Sequence, residues 1–287
     1  MKRALFVGSA LAFAGAPAFA RTENVDVQSI VERIPGITGV YARTFKDTPL
    51  VAIRDGEPFA AASVIKLAIM LTAYRAFDAG TASPSDKVKL RAADLIGGSN
   101  FLAGSHPGEA FTLQQLIRAM IQVSDNAASN TLITAFGMEA INATAIKAGL
   151  TGTHLGRHFA DVVPAWRVSQ NVTTPRDMAT LMFGLERGSR EGLDTIARSA
   201  SCRAMIGILL RQEDRNKIPA GLPPGTPIAN KTGEIDGVRN DIAIVNPYGD
   251  TPFVLAVMTK ELRDTSAGNR GIAAIARAIN ASVAAEG

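Results

Sequence analysis

The chain has 287 residues, of which 47% are hydrophobic, 20% charged and 6% aromatic, ordinary values for one large globular domain or two small ones and not those of a disordered tail protein. Its 30 Lys and Arg stand against 26 Asp and Glu, a formal net charge of +4 with no run of five or six basic residues. That balance speaks against a nucleic-acid groove and against a polybasic membrane patch.

The first predicted element is a leader. Met1-Lys2-Arg3 is a short positive segment, Ala4 to Ala16 is apolar, and Ala18-Phe19-Ala20 puts small residues at the positions a signal peptidase reads. Residues 1–20 are read as a signal peptide cleaved after Ala20. The apolar stretch falls short of the roughly 20 residues that span a bilayer. No cysteine follows it to carry a lipid, so the product is expected to be free of the membrane, periplasmic or secreted. Loss of Lys2 and Arg3 lowers the net charge to +2. Nothing in the sequence requires more than a monomer.

In the remaining 21–287, a short helix is predicted over Val27–Arg33, then strands over Thr38–Arg43 and Leu50–Arg54. Val64–Ala79 is apolar most of the way round a helix and should be central, with Ser63 at its N-terminus. Helical patterns follow at Leu113–Val123, Ala127–Ala135, Glu139–Ala148, Pro175–Glu186 and Gly192–Leu210. The last contains the only cysteine, Cys202, which reads as a buried, inert thiol and rules out an internal disulfide. Thr151–Thr174 breaks the pattern and reads as one long ordered loop, with Trp166 as a hydrophobic plug. After the Pro219–Gly225 connector come strands at Ile228–Lys231, Val238–Val245 and Phe253–Met258, and a closing helix over Ala267–Ala285. Strands at both ends with helices between predict one antiparallel sheet built from 21–60 and 212–287, a mainly helical part over 61–211, and a cleft where they meet.

Three motifs occur in order: Ser63-Val64-Ile65-Lys66, Ser124-Asp125-Asn126 and Lys231-Thr232-Gly233. Alone, each has a structural reading, as an N-cap, a solvated helix face or a capping turn. Together they point to nucleophilic catalysis. On a helix, i and i+3 are neighbours, so Lys66 can set its amine against the Ser63 hydroxyl. A lysine serves as base only if its pKa falls, which burial and a second cation, Lys231, would both promote.

With this motif set, and a Thr173-Thr174-Pro175 helix start, the chain resembles the class A β-lactamase and penicillin-binding serine hydrolases over almost all of 21–287. The resemblance implies an α/β (α+β) fold of β-lactamase/transpeptidase type, with an inserted helical subdomain and no cofactor. It implies a Ser63 acyl-enzyme, a proton relay at Ser124, and Asn126 bound to Lys66 and the substrate amide. The Lys231-Thr232-Gly233 strand would hold a substrate carboxylate, aided by Arg239, and the backbone amides of Ser63 and Glu234 would form the oxyanion hole. The substrate would be a small β-lactam or a peptidoglycan peptide.

One departure matters. The class A enzymes carry a loop glutamate that activates the deacylating water, whereas this chain has no glutamate between Glu139 and Glu186. Counting back from Pro175 puts His158 near that place, and Gln170 could bring an amide into the site. Lys66, then Asp161 or His158, then Glu234 are the substitute bases. His154 and His158 have zinc-like spacing, but Gly152 and Gly156 argue against a helix there, and no metal is expected. Three readings stay open: a secreted β-lactamase-like hydrolase; a D,D-carboxypeptidase, esterase or slowly deacylating penicillin-binding protein; and a non-catalytic sensor of β-lactams or cell wall.

Overall fold

A computed structural model describes residues 27–46, 48–97, 100–159, 170–191 and 196–286. The leader, Asp161 and Trp166 lie outside them. In chain order the elements are α1 (Val27–Glu32), β1 (Ile37–Thr44), β2 (Pro49–Ile53), β3 (Phe59–Ala60), a 3₁₀ turn over Ala62–Ile65, and α2 (Lys66–Asp78). Then follow β4 (Lys87–Lys89), β5 (Ala110–Thr112), α3 (Leu113–Gln122), α4 (Asn126–Phe136), α5 (Met138–Lys147) and β6 (Val172–Thr173). The chain continues through α6 (Pro175–Glu191), α7 (Ser199–Leu209), β7 (Ile228–Ile235), β8 (Val238–Val245), β9 (Phe253–Lys260) and α8 (Thr265–Glu286).

The main sheet is antiparallel with order β2-β1-β9-β8-β7, so strands from both ends of the chain meet at the β1–β9 pair. Alternation along each strand sends side chains to opposite faces. Val40, Ala42, Ala243, Val245, Leu255 and Val257 pack against α1 and α8, while Tyr41, Ile242, Ile244, Val254, Ala256 and Met258 join the core of the helical part. Both faces are covered, which is why β8 and β9 read as nearly continuous apolar runs. Between them, α6 lies directly on β1, β8 and β9. In α2, all nine residues from Lys66 to Tyr74 are buried, as its all-round apolar pattern requires.

The structure adds pieces too short to show a period. The β4–β5 pair is a ribbon of three residues per strand within the otherwise helical insert, and the β3–β6 pair, two residues per strand, ties that insert to Phe59–Ala60. α7 starts at Ser199, not at Gly192, because Asp78 at the end of α2 accepts the Arg198 amide at 2.8 Å and the Ser201 hydroxyl at 2.6 Å, which sets the start of the helix there. β7 runs four residues past Lys231, keeping Thr232, Gly233 and Glu234 on one straight edge strand.

Candidate active site

Ser63 lies in the 3₁₀ turn that precedes α2, half-buried on the wall of a cleft of about 350 Å³. Its neighbour Ala62 has φ +45°, a left-handed conformation costing a side-chain-bearing residue about 1–3 kcal/mol. The backbone is clamped on either side: Asn240 of β8 donates to the carbonyls of Ala60 (2.9 Å) and Ala61 (3.4 Å), and the Ala61 amide donates to the Asn171 carbonyl (2.9 Å). β7 then lies against the turn so closely that a Cβ on Gly233 would come within 3.0 Å of the Ser63 amide nitrogen and the Ala61 oxygen. A side chain there would need the turn to give way by a few tenths of an ångström. The close approach makes the Ser63 amide a near neighbour of the peptide joining Gly233 to Glu234.

Lys66 is fully buried, and its Nζ lies 2.8 Å from the Ser124 carbonyl, 3.1 Å from Ser124 Oγ and 2.9 Å from Asn126 Oδ1. No hydrogen bond joins it to the Ser63 hydroxyl among the described residues, contrary to the simple i, i+3 expectation: three acceptors on the opposite wall hold the amine instead of one on its own helix. Burial, then the charge of Lys231, drives the Lys66 pKa well below the usual lysine value, against an opposing pull from Asp125. Ser124 itself has φ +56°. This turn aims its carbonyl and hydroxyl inward, while Asp125 caps α4 through the Ala128 amide (2.8 Å) and holds the Leu102 amide (2.9 Å). The capping reading is thus true of the middle residue of Ser124-Asp125-Asn126, and its two neighbours face Lys66.

Lys231 is also fully buried, donating to Ser124 Oγ at 3.1 Å and to the Thr232 carbonyl at 2.8 Å. Burial lowers its pKa to about 7, although Asp241 and Asp214 pull upward. Asp241 is itself buried and raised to about 6, mainly by desolvation, while accepting from Asn230 Nδ2 (3.0 Å) and the Ile218 amide (2.9 Å). Lys66 Nζ faces the Ser124 carbonyl, Ser124 Oγ and Asn126 Oδ1, and Lys231 Nζ faces the same Ser124 Oγ. A hydrogen-bonded path therefore runs from Lys231 through Ser124 to Lys66.

A charged cluster that the motifs do not reveal forms another wall. Lys217, with no exposed surface, bonds Asp214 Oδ2 at 2.7 Å and Glu234 Oε1 at 2.5 Å. Burial alone would lower the Lys217 pKa, but Asp214 and Glu234 raise it overall; desolvation pushes Asp214 up, and Lys217 pulls it below the ordinary carboxylate value. Arg239 donates to the carbonyls of Ile235 (3.0 Å) and Val238 (2.7 Å) and places Nε 3.7 Å from Glu234 Oε1. Thr232, Glu213, Asp214 and Glu234 line the cleft together with Ser63 and Ser124.

The loop supplies a different residue from the one expected. Phe159, not His158, meets α2, its ring centre 4.4 Å from Lys66 Nζ. Its backbone is fixed in both directions by Asn130, which accepts from the Phe159 amide (2.8 Å) and donates to its carbonyl (3.2 Å). Asn171 holds the Gly156 and Arg157 amides at 2.8 and 3.0 Å. Gln170 spends its amide oxygen on Arg157 Nε at 3.3 Å. His154 sits on extended backbone bridged to Val172, and no trio of His, Cys, Asp or Glu able to hold a metal occurs among the described residues. Cys202 is buried.

Comparison with known proteins agrees with this geometry. The beta-lactamase enzyme family model matches residues 24–283. The chain is 28% identical over 276 residues to the beta-lactamase CTX-M-8 of Citrobacter amalonaticus, covering 94% of this chain and 92% of that one. Among solved structures, the beta-lactamase of Sphaerobacter thermophilus is 32% identical with a TM-score of 0.81, covering 90% of this chain and 97% of that one. PBP-A, solved as a point mutant in an acyl-enzyme complex with penicillin G, is 27% identical with a TM-score of 0.81, covering 90% and 95%.

Proposed function

The chain belongs to the beta-lactamase enzyme family, and from that premise we propose that it is an exported enzyme that opens the β-lactam amide through an ester on Ser63. That it is a serine hydrolase of class A β-lactamase type follows from the family and its solved relatives; the residue roles and the export are our reading. The observation that carries the roles is the chain Lys231 Nζ to Ser124 Oγ to Lys66 Nζ, each link 3.1 Å, running to a lysine whose pKa burial drives well below the usual value.

In this reading Lys66 takes the Ser63 proton as Oγ attacks the lactam carbonyl. The Ser63 and Glu234 amides receive the developing oxyanion, each such donor worth roughly 3 kcal/mol in the transition state. Ser124 delivers a proton to the departing nitrogen and is resupplied from Lys66 or Lys231. The C–N bond breaks, and the acyl group remains on Ser63 until water attacks it. The leader motif supports export to the periplasm or medium, and no described helix is long and apolar enough to cross a membrane.

Deacylation is where a second reading gains support. Among the described residues no carboxylate contacts Lys66, and the half-buried Phe159 ring covers the amine from the loop side. Of the substitute bases, Lys66 is then the one that the described geometry places nearest the site's hydroxyls. A site with no carboxylate at Lys66 favours a long-lived acyl-enzyme, the behaviour of a D,D-peptidase or penicillin-binding protein towards penicillin. A mutant of PBP-A is a solved relative captured with penicillin G as an acyl-enzyme. Hydrolysis of a chromogenic cephalosporin and release of D-alanine from a D-alanyl-D-alanine peptide, measured side by side, separate the two. Catalytic cephalosporin hydrolysis without peptide cleavage supports the β-lactamase reading. Stoichiometric opening with peptide cleavage supports the peptidase, and inertness towards both refutes each.

A further inference from the structure

We propose that a cavity between α2, α3 and α7, separate from the Ser63 cleft, is a second binding site, and that its ligand is a compact organic anion: one apolar ring carrying a sulfonate or carboxylate. The cavity holds about 240 Å³, too small for a drug-sized molecule and enough for a single ring. Its floor is apolar. Tyr74 of α2 is buried there, its ring held edge-on by Phe77 at 5.3 Å, and Ala204 and Ile208 stand one turn apart on α7. Gly207 keeps the space open, since a Cβ on it would meet nothing within 4 Å.

The rim is cationic. Arg118 of α3 and Arg211, just past the end of α7, both line the cavity, and no Asp or Glu lines it. Arg176, Arg190 and Arg239 each face a carboxylate, whereas neither Arg118 nor Arg211 has a side-chain ion pair or hydrogen bond among the described residues. Burial pushes the Tyr74 phenol up, against smaller pulls from Gln114 and Arg118, so its hydroxyl remains a donor at neutral pH. Two free guanidiniums over an apolar floor suit an anion that accepts charge-assisted hydrogen bonds at one end and buries a ring at the other. The cavity is not an extension of the cleft. Gln212, which is buried, donates to the Ile121 carbonyl at 2.8 Å, and the Glu213 amide donates to the Gln122 carbonyl at 3.1 Å. These bonds lace the end of α7 to the end of α3 between Arg211 on one side and the Ser124 wall on the other.

The test is a titration of the ¹⁵N-labelled protein with benzenesulfonate, followed by its amide shifts, with benzenesulfonamide as the uncharged isostere and methanesulfonate as the anion without a ring. Benzenesulfonate is expected to move amides of α3 and α7 around Arg118 and Gly207, saturating with a Kd of about 1 mM or tighter. Both control compounds should bind about tenfold more weakly, and so should benzenesulfonate in the double variant Arg118→Gln, Arg211→Gln. Gly207→Leu fills the cavity from an exposed helix position and should abolish the saturable shifts while the far-ultraviolet spectrum stays native. Equal affinity for the sulfonate and the sulfonamide overturns the proposal, as does an unchanged Kd in the double variant or in Gly207→Leu. Methanesulfonate binding as tightly as benzenesulfonate marks a bare anion patch and also overturns it, and so do shifts confined to the Ser63 cleft. None of these measurements depends on acylation of Ser63, so the proposal can fail while the acyl-enzyme reading stands.

Discussion

Phe159→Glu should convert a slow acyl-enzyme into a fast one. The Phe159 ring centre is 4.4 Å from Lys66 Nζ, and its backbone is anchored on Asn130 by two hydrogen bonds, so a shorter side chain there still points at the amine and leaves room for a water. A carboxylate about 4 Å from Lys66 couples by up to about 4 kcal/mol to the protonated form of that amine at an effective dielectric near 20, so the pair favours Lys66 charged and the carboxylate ionised, ready to accept a proton from water. A positioned general base contributes about 10²–10⁴ in rate. Against this, the half-buried ring is lost at a cost of about 1–2 kcal/mol in stability. The assay is the decay of the benzylpenicillin adduct by intact mass after rapid mixing, in the native protein, Phe159→Glu and Phe159→Gln. The glutamate variant should lose its adduct at least about a hundredfold faster than the glutamine variant, which has the same length but no base. Equal lifetimes in the two variants refute the claim that Phe159 occupies the place of the missing base.

Further outcomes follow from the same geometry. Lys231, lowered to about 7 by burial, is a cation beside Ser124 Oγ, able to pass on a proton, only when protonated. The protonated form dominates below its pKa, so kcat/KM for acylation should fall as pH rises through about 7; a flat profile to pH 9 contradicts that role. Gly233→Ala puts a Cβ within 3.0 Å of the Ser63 amide and the Ala61 carbonyl, so it should push the 3₁₀ turn off β7. Overpacking of this kind costs about 1–3 kcal/mol, and acylation should slow by at least about tenfold while the far-ultraviolet spectrum stays native. An unaffected acylation rate would show that the turn can recede without cost.

Much of this architecture is written in the sequence because its elements are long and periodic. β8 and β9 reveal themselves as apolar runs, α2 by its all-round apolar pattern, and the shared sheet by strands at both ends of the chain. Ser63, Lys66, Ser124, Asn126 and Lys231 are visible because short motifs fix their spacing. What stays hidden depends on approach in space. β3 and β6 are two residues each, too short for any period. Lys217 is an ordinary lysine until β7 brings Glu234 to it from 17 positions downstream. The residue over Lys66 is Phe159 and not His158 because counting from Pro175 assumes a loop of fixed length, and a displacement of one residue exchanges an imidazole for a ring without a proton. The Asn130 and Asn171 side chains that set this loop stand beside the motifs in the sequence, yet only their backbone partners explain them.

The central claim is that Lys231, Ser124 and Lys66 serve a nucleophile at Ser63, and the most direct test is peptide mapping of the protein after reaction with benzylpenicillin. The account predicts one added penicilloyl mass per chain, confined to the peptide containing Ser63, absent in Ser63→Ala and slowed by at least about a hundredfold in Lys66→Ala. An adduct on any other residue, or one that forms at the native rate in Ser63→Ala, would contradict it.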